Sequence, residues 1–313
     1  MIALIDVKGN DDRKIDKNSS VNIRNMQELS LILNADFFYN ALQLKLSKIT
    51  QYDIIIFGFG SVSSNINEVV SFIKKQKNIK NVFWLIGEYE QSMNPSLYYS
   101  CKELSKKYTA IKNFYKNEIG GMREKEHIIN INLLIARTPN AIMKKKYDCI
   151  YYSRWRDGRA KYLREYLQGD IYFSSDTKNF KQHKHIGCNP KYIKKLSWSK
   201  GIETLNQFRY SLYLEDEHTH KVYNHLANRF YEALFCNVVQ FFDINCKNTI
   251  IKSGIPFDNY YYVKNKLELD EKIKEVNESG KWAELLKSQS IWNDIAIMER
   301  TEMIKKLKGI FEI

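Results

Sequence analysis

The chain has 313 residues, room for about two domains at roughly 100–200 residues each. Apolar residues at 44%, aromatics at 13% and only 4 Pro and 13 Gly exclude a disordered chain, a collagen-like repeat and a Pro-rich linker. Lys+Arg 49 against Asp+Glu 36 leaves a formal charge of +13, which favours a polyanion such as nucleic acid or an acidic membrane surface, although A/T-rich coding would produce the same lysine excess. The longest apolar stretches, IIIFGFG and NVFWLIG, fall far short of the ~20 residues that cross a bilayer. The start, MIALIDVKGN, has no basic region ahead of its apolar run and meets a charge at Asp6, so no signal peptide is expected. The expectation is a soluble, cytoplasmic, well-packed monomer. Cys101, Cys149, Cys188, Cys236 and Cys246 are widely spaced with no CxxC pair, which points to reduced thiols and away from a disulfide framework or structural zinc.

In chain order, IALIDV (2–7) reads as a strand followed by a polar loop. NMQELSLILNADFFYNALQL has helical spacing through Leu29, Leu31, Ile32 and Leu33, with an end that could turn into a strand. YDIIIFGFGS (52–61) is continuously apolar, as a parallel strand buried on both faces would be. NINEVVSFIKKQK follows as a helix with Val69, Phe72 and Ile73 on one face. NVFWLIGEYE (81–90) is a second buried strand, ending in carboxylates. RTPNAIMKKKYD (137–148), with its proline and lysine run, marks a boundary. The rhythm then restarts: YDCIYYSR as strand, GRAKYLREYLQG as helix, DIYFSS and FRYSLYLED (208–216) as strands. HKVYNHLANRFYEALFCN (220–237) is the clearest helix, with Val222, Leu226, Phe230, Ala233 and Leu234 on one face, and VVQFFD (238–243) follows as a strand. Charged amphipathic helices fill the last 50 or so residues. The alternation implies α/β architecture with parallel, doubly wound sheets. The expected domains are 1–140, 141–285, and a C-terminal helix over 286–313 packing back on the first.

Two segments carry chemistry. SRWRDGRAKYLREYL places Arg154, Arg156 and Arg159 between a strand and the next helix, where ligands bind in open α/β sheets. Guanidinium forks and helix N-terminal amides suit a diphosphate there, and Gly158 lets the backbone come close. A solvated basic turn is the competing reading. In ANRFYEALFCNVVQFFD, Arg229 and Glu232 are i,i+3 neighbours, and Asn228 and Glu232 are i,i+4 neighbours, away from the apolar stripe. A carboxylate so placed can accept hydrogen bonds from ribose hydroxyls; an ordinary exposed Arg–Glu pair is the alternative.

Two such domains facing across a cleft are similar to the GT-B architecture of nucleotide-sugar glycosyltransferases, an outline that periplasmic binders and some epimerases share. More closely, YDCIYYSRWRDGRAKYLREYL, PKYIKKLSWSKG, SLYLEDE, NRFYEALFCNVVQFFD and the start of NTIIKSGI resemble, in order over about 147–300, the DNA β-glucosyltransferases of T-even phages, which glucosylate 5-hydroxymethylcytosine in duplex DNA. The first half matches only in its alternation and one strand end.

The resemblance implies that Arg156 and Arg159 hold a UDP diphosphate, that Arg229 makes a further phosphate contact and that Glu232 binds the ribose. The family's catalytic aspartate follows a buried strand; here Glu88 and Glu90 stand at the end of VFWLIG, one methylene longer, so the base stays open between them and a residue not identified. The implied reaction is inverting transfer of a sugar, glucose being expected, from UDP-glucose to a 5-hydroxymethylpyrimidine in phage DNA. A carboxylate takes the acceptor proton, and arginines stabilise the departing diphosphate. Mg2+ or Mn2+ could assist; Asp216 in LEDE is the weak candidate ligand, its competing reading a solvated acidic turn. KNFKQHKHIG and PKYIKKLSWSK bring Lys181, Lys184, Lys194, Lys195, Trp198, His183, His185 and Tyr192 into one connection, where lysines would neutralise phosphates of double-stranded DNA and aromatics would stack on an extruded base. The alternatives are transfer to a cell-surface glycan, pentosyl transfer to modified DNA, and a non-catalytic DNA-binding protein.

Overall fold

The computed structural model describes residues 1–5, 21–38, 51–57, 78–86, 110–112, 126–128, 130–153, 155–196, 204–216, 226–311 and 313. The chain divides into two compact units, 1–134 with 300–313, and 135–299.

The first unit is built on a parallel sheet of β1 (Ile2–Ile5), β2 (Asp36–Phe38), β3 (Ile54–Phe57), β4 (Asn81–Ile86), β5 (Ala110–Lys112) and β6 (Glu126–Ile128), in the order β2-β1-β3-β4-β5-β6. Ala3, Leu4 and Ile5 of β1 and Ile55 and Ile56 of β3 are fully buried, as their unbroken apolar runs require of strands covered on both faces. Helix α1 (Val21–Leu33) buries Met26, Leu29 and Leu33. Leu31 is exposed, because a residue two positions beyond Leu29 lies across the helix from it. The helix stops at Asn34, whose positive φ of 50° turns the chain into β2.

The second unit holds β7 (Tyr147–Tyr152), α2 (Ala160–Tyr166), β8 (Gln168–Ser175), α3 (Thr177–His185), β9 (Asn189–Lys194), β10 (Phe208–Tyr213), α4 (Asn228–Phe235), β11 (Val239–Asp243), α5 (Lys247–Lys252), β12 (Tyr262–Val263) and α6 (Lys266–Ser279). All its strand pairs are parallel, in the order β12-β11-β10-β7-β8-β9. Counted within the unit and read from β9, that is 3-2-1-4-5-6, the Rossmann order; the first sheet's 2-1-3-4-5-6 begins in flavodoxin-like fashion. Residues 190–194, read from sequence as part of a connection, form the edge strand β9, and 177–185 form α3.

Helix α4 is shorter than its periodicity suggests. It begins at Asn228, since Ala227 is extended (φ −72°, ψ 160°), and 217–225 lie outside the described residues. It ends where Asn237 takes φ 54°: the Asn237 N–H bonds the Leu234 carbonyl at 3.1 Å and the Val238 N–H that of Ala233 at 2.9 Å, a Schellman closure with Asn where Gly is usual. The stretch 136–146 is tied to this unit. Asn140 N–H reaches Phe235 O, and the Lys145 ammonium donates to Asn206 O (2.8 Å), Asn237 O (2.7 Å) and, more weakly, Cys236 O (3.4 Å). The last charged segments form one helix, α7 (Trp282–Phe311). Its portion from Arg300 onward groups with the first unit, where Phe311 meets Phe83 edge-on with ring centroids 4.7 Å apart. Cys149, Cys188, Cys236 and Cys246, all in the second unit, are buried thiols with no disulfide. No described helix is long and apolar enough to cross a membrane.

Candidate functional site

In a sheet of this order the connections leave β7 and β10 in opposite directions, so a crevice opens beyond their carboxyl ends. The segments that continue from those two strand ends define the site. After β7 the chain turns through Asp157–Arg159 into α2. The turn is pinned at Trp155, whose backbone N–H donates to Asn179 Oδ1 (3.0 Å) and whose indole donates to Asp157 Oδ1 (2.7 Å). Asp176 caps α3 by accepting from the Asn179 N–H, which fixes the residue that holds Trp155. A Cβ added at Gly158 would stand 3.3 Å from Asp216 Cβ, so a glycine allows the turn to lie against the end of β10.

After β10 come Leu214, Glu215 and Asp216, all buried. Arg159 Nη2 lies 3.1 Å from Glu215 Oε2, and its Nε donates to Asp216 Oδ2 at 3.2 Å. Arg229, near the start of α4, donates through Nε to Glu215 Oε1 at 2.9 Å and also pairs with that oxygen through Nη2. Its Nη1 reaches the Tyr152 carbonyl at 3.3 Å, and the Tyr152 hydroxyl donates to the Arg229 carbonyl at 3.1 Å. Arg156 Nη1 stands 3.6 Å from Asp216 Oδ2 with its side chain 40% exposed, against 6% for Arg159 and 11% for Arg229. One carboxylate, Glu215, thus holds two guanidiniums that come from separate elements.

Burial alone would raise the Glu215 carboxyl, but Arg229 and Arg159 outweigh it and hold the group below the usual carboxylate range. For both arginines burial opposes the charge, and the surrounding groups, Glu215 foremost, together more than offset it, so each stays cationic. Burial first, and then the nearby Glu232 carboxylate, push the Tyr152 phenol well up, so it is a neutral donor.

The structure therefore brings Arg156, Gly158, Arg159, Arg229 and Asp216 to one place. Asn228 and Glu232 lie on the adjoining helix, where both are buried. Two expectations need correction. The partner of Arg229 is Glu215 across to β10 and not Glu232 along the helix, because α4 is buried on nearly all sides and points the guanidinium at the strand ends. Asp216 is no solvated turn residue; it is buried and held by arginines. Among the described residues no group of three or more His, Cys, Asp or Glu side chains is poised around a metal, and Asp216 already serves guanidiniums. Glu215 and Tyr152 were not singled out from sequence. The available signal for Glu215 was an acidic pair closing an apolar strand in YLEDE.

Lys181 and Lys184 are exposed on α3, and Lys194 is exposed on β9, with Lys195 half-buried beside it. Phe180 and Tyr192 bind these elements together, ring centroids 4.4 Å apart. His183 is fully buried between Trp155 and Phe173, so it belongs to the support of the arginine turn and not to a lysine surface. Arg154, Trp198, Glu88 and Glu90 lie outside the described residues.

No protein-family model matches the chain, and comparison with curated proteins gives no match either. Among solved structures it is similar to T4 phage β-glucosyltransferase in complex with UDP-glucose, with TM-score 0.71 and 20% identity over 100% of this chain and 99% of that one. An α-glucosyltransferase in complex with UDP-glucose and DNA containing an abasic site gives TM-score 0.63 and 11% identity over 97% and 99%. Anabaena Alr3699/HepE in complex with UDP-glucose gives 0.54 and 11% over 98% and 99%. The T4 enzyme has also been solved with UDP and Mn2+. The chain thus has the α/β GT-B fold, two parallel sheets with helices and a C-terminal helix, in agreement with the sequence reading.

Proposed function

We propose that the protein is a UDP-sugar-dependent glycosyltransferase, with UDP-glucose as donor and a hydroxymethylated pyrimidine of double-stranded DNA as acceptor. The observation that carries the reading is the convergence of Arg156, Arg159 and Arg229 beyond the ends of β7 and β10. Planar guanidinium forks match phosphate oxygens, and a crevice at this point of a Rossmann-ordered sheet is where a nucleotide lies. Ala227 offers no capping side chain to the first turn of α4, and that turn places a helix N-terminus beside the arginines. Glu232 is assigned to the ribose hydroxyls, and Arg156, the most exposed of the three arginines, to the diphosphate. The fold shared along the full chain with T4 β-glucosyltransferase supports the donor.

The transfer proposed is inverting. A carboxylate in the segment after β4, Glu88 or Glu90, takes the acceptor hydroxyl's proton as oxygen attacks the anomeric carbon. The C–O bond to UDP breaks on the opposite face, and the arginines stabilise the charge that develops on the leaving diphosphate. A Mg2+ or Mn2+ ion is assigned no step. Duplex DNA is proposed to lie along the exposed lysines of α3 and β9, which neutralise phosphates without reading sequence.

The test is incubation with hydroxymethylated duplex DNA and a panel of UDP-sugars. Release of UDP with UDP-glucose, and a β-linked product by NMR, is the expected result. UDP release with a glycan acceptor alone, or with a UDP-pentose alone, would replace the acceptor or the sugar. DNA binding with no donor consumed would leave a non-catalytic protein.

A further inference from the structure

Glu215 has no place in the transfer just described, yet it is the most tightly held carboxylate of the cluster. It is 2% exposed, one oxygen faces Arg159 and the other faces Arg229, and these arginines are 70 positions apart in sequence. Arg159 sits where the turn enters α2, while Arg229 sits in the first turn of α4. Two guanidiniums brought this close repel each other, and Glu215 is the anion they share, whereas Asp216 bonds Arg159 and the Tyr152 carbonyl bonds Arg229. Each arginine has five N–H donors, and Glu215 occupies only some of them. The rest are aimed by the bond it makes.

We infer that Glu215 is a positioning residue: lying beneath the diphosphate subsite, it locks Arg159 and Arg229 into one donor array, so that a negative charge strengthens the binding of an anion. The inference rests on the nucleotide-binding reading above and deepens it, since it assigns the orientation of the phosphate-binding forks to a residue that does not itself touch phosphate. Asp216 adds a second bond to Arg159 and draws Arg156 toward the same array.

The sign of one substitution tests it. Removing a negative charge near a bound diphosphate should tighten binding if simple charge balance governs the site. If positioning governs it, Glu215→Gln weakens UDP by about tenfold or more, since one neutral amide cannot accept from two forks. Binding of UDP and of uridine is measured by calorimetry and ligand-observed NMR on the full chain, with urea midpoints as the folding control. The expected result is a loss confined to UDP, with uridine affinity unchanged. Glu215→Asp, which keeps the charge but reaches only one fork, should recover part of the loss. Equal or tighter UDP binding by E215Q overturns the inference, as does a parallel loss of UDP and uridine. Should E215Q fail to fold, E215D decides alone, and wild-type UDP affinity in it overturns the inference. Failure of the wild-type chain to bind UDP removes the nucleotide reading itself, and the inference with it.

Discussion

Glu232 and His183 differ in what they can report. Glu232 is buried beside Tyr152 at the end of β7, so its loss should act on the nucleotide and not on the acceptor. Glu232→Ala is expected to weaken UDP binding about tenfold or more, in line with one charged hydrogen bond to ribose. Glu88→Ala should leave UDP affinity intact while transfer to DNA falls by about 10²–10⁴, the usual contribution of a general base. Calorimetry and donor turnover read the two effects separately. His183 speaks to pH. Burial lowers its pKa, the hydrogen bond to the Asn179 carbonyl opposes this, and Arg159 lowers it further. Because the folded value lies below the unfolded one, the unfolded chain takes up the proton first. Stability from this group is therefore fully present above about pH 6.5 and is lost as pH falls toward the folded value. Urea unfolding from pH 7.5 to 5 should show the decline, and His183→Leu should flatten it. A slope unchanged in the variant would assign the pH dependence elsewhere. At this scale the sequence was legible where residue type and strand end coincide, as at Arg156 and Arg159. Pairing was not, because Glu215 meets Arg229 through a fold contact 14 positions away that no helical spacing encodes.

Among the elements, the stretch before β7 is fixed by backbone acceptors more than by apolar contact. Lys145 draws on the carbonyls of Asn206 and Asn237, and the Asn237 and Asn206 amides return bonds to Asn140 O and Ala141 O. Burial pushes the Lys145 ammonium down to about 8. Lys145→Met would leave these carbonyls without their charged donor and should cost about 2–3 kcal/mol by urea denaturation at pH 7. A change within about 0.5 kcal/mol would mean that water replaces the ammonium. Sequence periodicity found β7, α2, β8, β10 and β11 in this unit, but it took α3 and β9 for a connection, did not mark α5 or β12, and overran α4. The apolar spacing continues upstream to Val222, whereas the backbone at Ala227 is extended. The αL cap at Asn237 was equally hidden, because Asn marks such a position less plainly than Gly.

Across the whole molecule, the two sheet orders could not be read from the alternation of strands and helices, which fits either doubly wound pattern. It is the 3-2-1-4-5-6 order that brings the ends of β7 and β10 together, and with them the arginines and acids of the site. The positive charge belongs to this scale too. Lys181, Lys184 and Lys194 stand exposed on α3 and the edge strand β9, where lysines also discourage pairing of that edge with another sheet. If they hold duplex DNA, affinity should fall steeply with salt, with a log–log slope of about −0.9 per phosphate contact. Lys181→Glu with Lys184→Glu should reduce that slope and leave UDP binding unchanged. Filter binding across a salt series gives the answer, and an unaltered slope would move the DNA to another face.

The four thiols of the second unit, Cys149, Cys188, Cys236 and Cys246, make that unit its own clock. Burial raises every one of them, Cys188 to about 11, so little thiolate exists at neutral pH for an alkylating reagent to attack. Iodoacetamide should label these four sites only as fast as the surrounding structure opens. Peptide-resolved mass spectrometry of the labelling would then time that opening, and nucleotide bound at the arginines should slow all four together.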